Sequence, residues 1–211
     1  MIVIPDAVQL SPATLDFLAK EHHLFIGGDW TPSINGVRLP VENPANGQLV
    51  ASIALADAPD VDAAVDAAQK AFNPDFSPSK RAQLLWTLAD LIRQHVQELA
   101  ELETIDNGKP IEQAKADVLG AAQHFRYYAG WADKIEGHTI PVSAKNRLVY
   151  TRREPLGVVG LIVPWNFPLL MAAWKLAPAL ACCNSVILKP AEQTSLTALR
   201  LGELIAEAGF P

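Results

Sequence analysis

The spacing of apolar positions changes several times along the chain, and each change predicts an element. Residues Asp6 to Lys20 read as a loose arm carrying a short helix. Leu24-Phe25-Ile26 followed by Gly27-Gly28-Asp29 predicts a strand and a turn. Asn43-Pro44-Ala45-Asn46-Gly47 is a second turn cluster. Helical spacing begins after Asp60, a candidate cap, with Val61, Val65, Ala68 and Phe72 on one face. Ser77-Pro78 is a further start signal. From there Leu84, Leu88, Leu91, Ile92, Val96, Leu99 and Leu102 keep one helical period up to Asn107-Gly108. Pro110 opens another helix, with Ile111, Ala114, Val118, Phe125, Tyr128, Ala132 and Ile135 along one side and Gly137 as its stop.

The period then switches. Arg147 to Arg153 alternates like a strand, and Gly157 to Val163 is apolar without alternation, as in a strand covered on both faces of a parallel sheet. Pro168 to Cys182 has the length and apolarity of a buried helix, and Ser185 to Leu188 is another short buried strand. Thr194 is placed to cap a last helix, with Leu196, Leu199, Leu204 and Ile205 inward and Gly209 as its stop. Strand, helix, strand, helix is the beginning of a doubly wound sheet, and Pro211 falls where its next strand is expected.

Composition narrows the function classes. Half of the 211 residues are hydrophobic and 19% are charged, enough apolar material for a sizeable core. The net charge of −6, with no dense basic run, argues against a phosphate-tracking nucleic-acid surface. Met1 to Asp6 lacks the basic residues of a signal or transit peptide. Pro164, Lys175 and Pro178 interrupt the apolar stretches, so no membrane span is expected. The two cysteines, Cys182 and Cys183, are adjacent and no disulfide framework, which points to a reducing cytoplasmic setting. His22, His23, His95, His124 and His138 show no metal-ligand spacing, so no metal site is expected.

Two segments carry candidate chemistry, and each follows a predicted buried strand: Val163-Pro164-Trp165-Asn166-Phe167-Pro168 and Lys189-Pro190-Ala191-Glu192. In open parallel sheets, ligands bind beyond the carboxyl ends of the strands. Neither segment is a glycine-rich phosphate loop. Taken alone, Asn166 suits a turn before a helix, and Lys189 with Glu192 suits a solvated ion pair. Phe167, Met171 and Trp174 suit core packing, and Lys175 suits snorkelling or an ion pair.

Together, Pro164-Trp165-Asn166-Phe167-Pro168, Trp174-Lys175-Leu176-Ala177-Pro178-Ala179-Leu180 and Lys189-Pro190-Ala191-Glu192-Gln193-Thr194 resemble the aldehyde dehydrogenase superfamily. Phe25-Ile26-Gly27-Gly28, Asn43-Pro44-Ala45, Glu103 to Pro110 and Glu154 to Val158 agree in the same order, so the likeness runs over roughly residues 24–211. The resemblance implies that Asn166 donates its side-chain amide to an oxyanion hole, and that Lys175 serves a proton relay. It implies that Lys189 and Glu192 contact the adenosine ribose, with the carboxylate favouring NAD over NADP, though NADP use is compatible. Val163, Pro164, Trp165 and Asn166 would line the cofactor, and Phe167, Met171 and Trp174 an aldehyde tunnel. The sequence departs from the family at Cys183, where glycine is usual, so strain is expected there.

The fold class implied is α/β: an incomplete doubly wound, Rossmann-like NAD-binding domain, a truncated aldehyde dehydrogenase-like fold. The expected division is an N-terminal helical part (1–137), oligomerisation strands (138–154) and the first βαβα part (155–211), with the catalytic domain absent. The family's cysteine nucleophile and general-base glutamate lie in stretches that the chain does not contain. Cys182 and Cys183 end an apolar helix, where burial and the negative helix end oppose thiolate formation, so packing is their expected role. Three functions follow for comparison. One is a piece of an NAD(P)-dependent aldehyde oxidoreductase, a homo-oligomer when complete and inactive as this chain alone. The others are a non-catalytic binding or assembly module and a decayed product without a stable fold.

Overall fold

The computed structural model of the protein describes residues 9–211, so the segment Met1–Asp6 and the start of the predicted arm lie outside the described residues. Helix α1 (Pro12–Leu18) is capped by Ser11. Ser11 and Thr14 both donate hydroxyl hydrogen bonds to Glu101, at 2.8 and 2.5 Å, and this anchors the arm to the body of the fold. Strands β1 (Leu24–Ile26) and β2 (Asp29–Thr31) form a hairpin, and β3 (Arg38–Asn43) pairs antiparallel with β4 (Gln48–Ala54). The turn between β3 and β4 is the one expected: the Asn43 side chain accepts from the Ala45 amide at 2.9 Å.

Helix α2 (Ala58–Ala71) corrects one expectation. Its cap is Asp57, not Asp60. Asp60 sits three residues in and reaches back to accept from the Asp57 amide at 2.9 Å, a reciprocal capping box. Phe72 is already extended, and Val61 is largely exposed. The next expected helix is broken in two, α3 (Pro78–Gln94) and α4 (Val96–Asn107). His95 leaves helical geometry at the junction, and its imidazole bonds Glu98 at 2.7 Å at the start of α4. Helix α4 is buried nearly all round, with Leu99 in the core that α3 joins and Leu102 and Ile105 in a second cluster.

Helix α5 (Ile111–Ala129) stops well before Gly137, because turns at Gly130 to Trp131 take up its last carbonyls. The expected strand over 147–153 shortens to β6 (Val149–Tyr150), paired with β5 (Thr139–Ile140). Gly137 lies so close to this ribbon that a Cβ would stand 1.8 Å from the Thr151 carbonyl oxygen. The chain ends with β7 (Val158–Ile162), α6 (Pro168–Ala181), β8 (Ser185–Lys189) and α7 (Leu196–Ala208). β7 and β8 are parallel neighbours, as the sequence requires. They are only partly buried, with Ile162 68% exposed, because neither has a second strand beside it among the described residues.

The main core lies where α3, α5, α6 and α7 converge, around Leu85, Leu88, Ile92, Val118, Phe125, Leu169, Leu176 and Leu201. A second cluster joins α1, the β3–β4 hairpin and α4 through Phe17, Leu18, Val41, Val50 and Leu102. Leu196 and Leu204 of α7 are fully buried, whereas Leu199 and Ile205 are only partly so. Beside β8, a cleft of about 820 Å³ opens between the sheet, α2 and α7, lined by Val61, Ala64, Val186, Leu188, Leu199 and Ile205.

The turn from α6 to β8 carries the expected strain. Cys183 has φ +66°, the left-handed region that side chains disfavour by roughly 1–2 kcal/mol. It is tolerated because its Sγ lies in a buried recess and donates to the Asn73 carbonyl at 3.3 Å. Cys182 does not fill the expected packing role: it is exposed, and what burial it has still raises its thiol pKa. Asn184 then accepts from the Leu156 and Gly157 amides at 2.8 and 3.2 Å, which aligns the start of β7 with β8.

Two outcomes are expected from this architecture. Cys183→Val, which places a branched side chain at a positive φ, should lower stability by about 2 kcal/mol, while Cys183→Gly should fold at least as well. Thermal melts of the two variants distinguish this from an unstrained turn. The 211-residue chain, with apolar surface along the β7–β8 edges, should self-associate at micromolar concentration in sedimentation velocity. A monodisperse monomer with one cooperative melt would contradict that expectation.

Candidate functional site at the carboxyl edge of the parallel strands

The parallel register sets the geometry. Ile162 stands opposite Lys189, and one residue further the Val163 amide donates to the Lys189 carbonyl at 3.1 Å. Both predicted segments therefore leave the sheet at the same edge, Val163 to Pro168 from β7 and Pro190 to Glu192 from β8. They also touch: the Thr194 hydroxyl donates to the Trp165 carbonyl at 3.3 Å. Asn166 and Glu192 thus lie on one rim.

Each predicted residue has a definite position. Val163 is buried at the end of β7, while Pro164, Trp165 and Asn166 are exposed on the rim. Lys189 and Glu192 form an ion pair at 2.6 Å, with both side chains about half exposed. The hydrogen bond from Lys189 holds the Glu192 carboxyl below its ordinary pKa. A pair this open contributes little to stability and can exchange its partners for a ligand. Lys175 forms no ion pair, and its ammonium reaches an exposed position at the end of β7. Its ammonium turns to the sheet and donates to the Ile162 carbonyl at 2.5 Å, which puts it on the rim. Phe167 and Trp174 lie along the side of α6 that faces α5. Phe167 lies under the Lys109 ammonium, 4.4 Å from the ring centre, and Trp174 contacts the His124 ring at 5.6 Å. Met171 sits between them along the helix, half-buried.

The large cleft beside β8 meets this rim only at Lys189, Pro190 and Glu192. Its other walls are mostly apolar, with Asp60, Asn73 and Arg81 among the exceptions, and carry none of the remaining candidate residues, which gather at the strand ends and not in this cleft. No cluster of His, Cys, Asp or Glu suited to a metal ion occurs among the described residues.

Polar groups behind the rim escaped the sequence reading. Thr194 does not cap α7. Its hydroxyl is used on Trp165, and the first amide of α7, Leu196, is capped from a distant helix by Asp106 at 2.9 Å. The neighbouring Asn107 side chain donates to the Trp165 carbonyl at 2.7 Å. Lys109 is buried between Glu103 and Asp117, at 2.7 and 2.5 Å. Burial would lower the Lys109 pKa, but hydrogen bonds to Asp117 and Glu103 outweigh it and raise the ammonium above the usual lysine value. Burial pushes the Glu103 carboxyl up despite Lys109. The available signal was four polar residues, Glu103, Asp106, Asn107 and Lys109, crowded at a helix end.

Asp106 is 3% exposed, and burial pushes its carboxyl up to about 8, against the lowering effect of the Leu196 amide. The folded chain therefore keeps this proton up to about pH 8, whereas an unfolded aspartate releases it near ~4. Between those values the unfolded state binds fewer protons, so this group makes stability fall as pH rises. His22 acts oppositely: burial lowers it to about 4, so stability is lost as pH falls from about 6.5 towards 4. Comparing wild type with Asp106→Asn at each pH cancels the histidine contribution. The variant should gain on the wild type by roughly 2–5 kcal/mol between pH 4 and pH 8. Denaturant melts showing a constant difference across that range would refute the buried-acid assignment.

The chain is thus an α/β protein whose two parallel strands end in one polar rim. The model of the aldehyde dehydrogenase family matches residues 30–211. A putative aldehyde dehydrogenase, DhaS, of Bacillus subtilis is 51% identical over 97% of the chain and 42% of its own length. An NAD+ complex of an aldehyde dehydrogenase from Bacillus cereus superposes with a TM-score of 0.93 at 46% identity, covering 97% of the chain and 42% of that structure. An E. coli NADP-dependent enzyme superposes at 0.90 with 35% identity, covering 96% and 42%. The chain belongs to the aldehyde dehydrogenase family. It spans about 40% of the length of the relatives it matches.

Proposed function

We propose that the chain supplies one wall of the cofactor site, and the oxyanion donor, of an NAD-dependent oxidoreductase that converts aldehydes to carboxylic acids. The observation that carries this reading is the shared rim, where Asn166 and the Lys189–Glu192 pair leave adjacent parallel strands whose ends are bonded through Val163 and Lys189. The residues present fit a dinucleotide. The exposed Glu192 carboxylate can accept from two ribose hydroxyls while Lys189 donates to them, and the same carboxylate repels a 2′-phosphate. The B. cereus relative, described as an NAD+ complex, supports NAD, and the E. coli relative, described as NADP-dependent, keeps NADP use compatible.

Nicotinamide, when bound, accepts a hydride from the substrate carbon. The chain's own groups prepare that step. Val163, Pro164 and Trp165 would form the wall against the cofactor. The exposed Asn166 amide would donate to the aldehyde oxygen as negative charge develops there, a contribution of about 3 kcal/mol for one well-placed donor. Lys175, bonded to the end of β7, is within the rim that would exchange protons with substrate. Phe167, Met171 and Trp174 would line the path for the aldehyde, whose aromatic walls suit medium-sized or aromatic substrates.

The functional division proposed is a helical part of the cofactor domain (1–137), an oligomerisation ribbon (138–154) and the first βαβα unit (155–211). Exposed Ile140, Val142, Leu148 and Tyr150 on the ribbon suit pairing of subunits in the complete enzyme. No described helix is long and apolar enough to cross a membrane. The low cysteine count favours a cytoplasmic setting. The 211 residues alone should be inactive, because a thiol nucleophile at the rim is required and neither cysteine is there: Cys182 and Cys183 end α6, at the opposite end of β8 from Lys189. NADH formation by this chain with a panel of aldehydes would overturn that statement. Binding is the more direct test. Saturation-transfer NMR should show NAD contacting the chain more strongly than NADP, and Glu192→Gln should reduce the preference by ~10-fold or more, the usual worth of charged hydrogen bonds. Equal binding of the two nucleotides to both forms would sink the ribose assignment.

A further inference from the structure

The end of α4 and the residues just after it reach the turns that follow both β7 and β8. Asn107 donates to the Trp165 carbonyl, and Asp106 caps Leu196 at the start of α7, immediately after the β8 turn. Lys109 presses on the Phe167 ring while bound to Glu103 and Asp117. Thr194, from the β8 side, shares the same Trp165 carbonyl. Two turns from different strands are thus fastened to one short segment that crosses behind both.

We propose that Asp106, Asn107 and Lys109 are positioning residues, a buckle that fixes the Trp165–Phe167 turn against the Glu192–Leu196 turn so that Asn166 is presented at a set distance from the Lys189–Glu192 pair. The physical reason is the scarcity of other restraints. Pro164, Trp165 and Asn166 are exposed, with Trp165 at 60%, so side-chain packing does not hold that turn. A backbone carbonyl taking two side-chain donors does. The buried charges behind it resist displacement, because moving Lys109 would leave Glu103 and Asp117 without their counter-charge. Directional bonds from a rigid helix end locate a turn more sharply than apolar contacts, which tolerate sliding. The consequence for cofactor geometry rests on the function proposed above; the mechanical claim does not.

The chain has five tryptophans, of which Trp165 alone lies in the fastened turn, so fluorine NMR of 5-fluorotryptophan-labelled protein reads the buckle locally. Asn107→Ala, at a half-exposed position, and Thr194→Val, which keeps shape and removes the hydroxyl, should each shift or broaden the Trp165 resonance. Trp86 and Trp131, on α3 and after α5, should keep theirs. An unchanged Trp165 resonance in both variants overturns the proposal, as does an equal response of all five, which would indicate general loosening. NAD titration of the same samples separates the two claims. The buckle predicts about a tenfold weaker binding in Asn107→Ala, though Asn107 itself bonds only Trp165. Wild-type chain that binds no nucleotide would refute the cofactor reading, while the fluorine result still decides the buckle.

Discussion

The parallel pairing of β7 with β8 is the constraint on which the rest of the structure depends. Its register places Ile162 opposite Lys189, and its last bond, Val163 to Lys189, is made at the point where both strands give way to functional turns. Because the strands run the same way, whatever follows them emerges on one edge, with backbone amides and side chains directed beyond the sheet. Shifting the register by one residue would separate Asn166 from Glu192 and turn the apolar faces of both strands over. The Asn184 side chain, bonded to Leu156 and Gly157, guards that register from the opposite end. The left-handed Cys183 lets the chain reverse tightly enough to place Asn184 there.

Behind this edge the molecule departs from a simple apolar core. Glu103, Asp106 and Lys109 are all buried, and charge burial is costly unless it is matched. The solutions differ. Lys109 is matched by two carboxylates, so the ionised form persists. Asp106 has an amide but no cation, and it keeps its proton to about pH 8. A neutral Asp106 can still cap α7, so helix capping and charge avoidance are both met. The same segment bonds to the turns after both strands, through Asn107 to Trp165 and Asp106 to Leu196.

Most elements were legible in the sequence because their signals are local. Apolar runs and proline and glycine boundaries marked β1, β7, α6, β8 and α7 near their observed places. The errors have a common cause. Asp60 was taken for a cap because capping boxes pair two acids or hydroxyls and spacing alone does not say which is first; Asp57 is. The break at His95 was invisible because apolar residues recur at helical spacing on both sides of it. Thr194 was assigned to its own helix, whereas its hydroxyl is spent across the rim and α7 is capped by a residue 90 positions away. Lys175 was weighed between solvent and an ion pair, and the structure uses it on a backbone carbonyl.

The order of short motifs was enough by itself to determine the family, the α/β class and the strand ends that carry candidate chemistry, because these depend on residue type and spacing within a few turns of chain. Only the tertiary structure decided what lies behind those strand ends. Asp106, Asn107 and Lys109 meet Leu196, Trp165 and Phe167 across separations of roughly sixty to ninety residues, and such partnerships leave no periodicity to read. A hydrogen bond depends on the positions of two atoms in space, and for distant residues folding alone sets those positions.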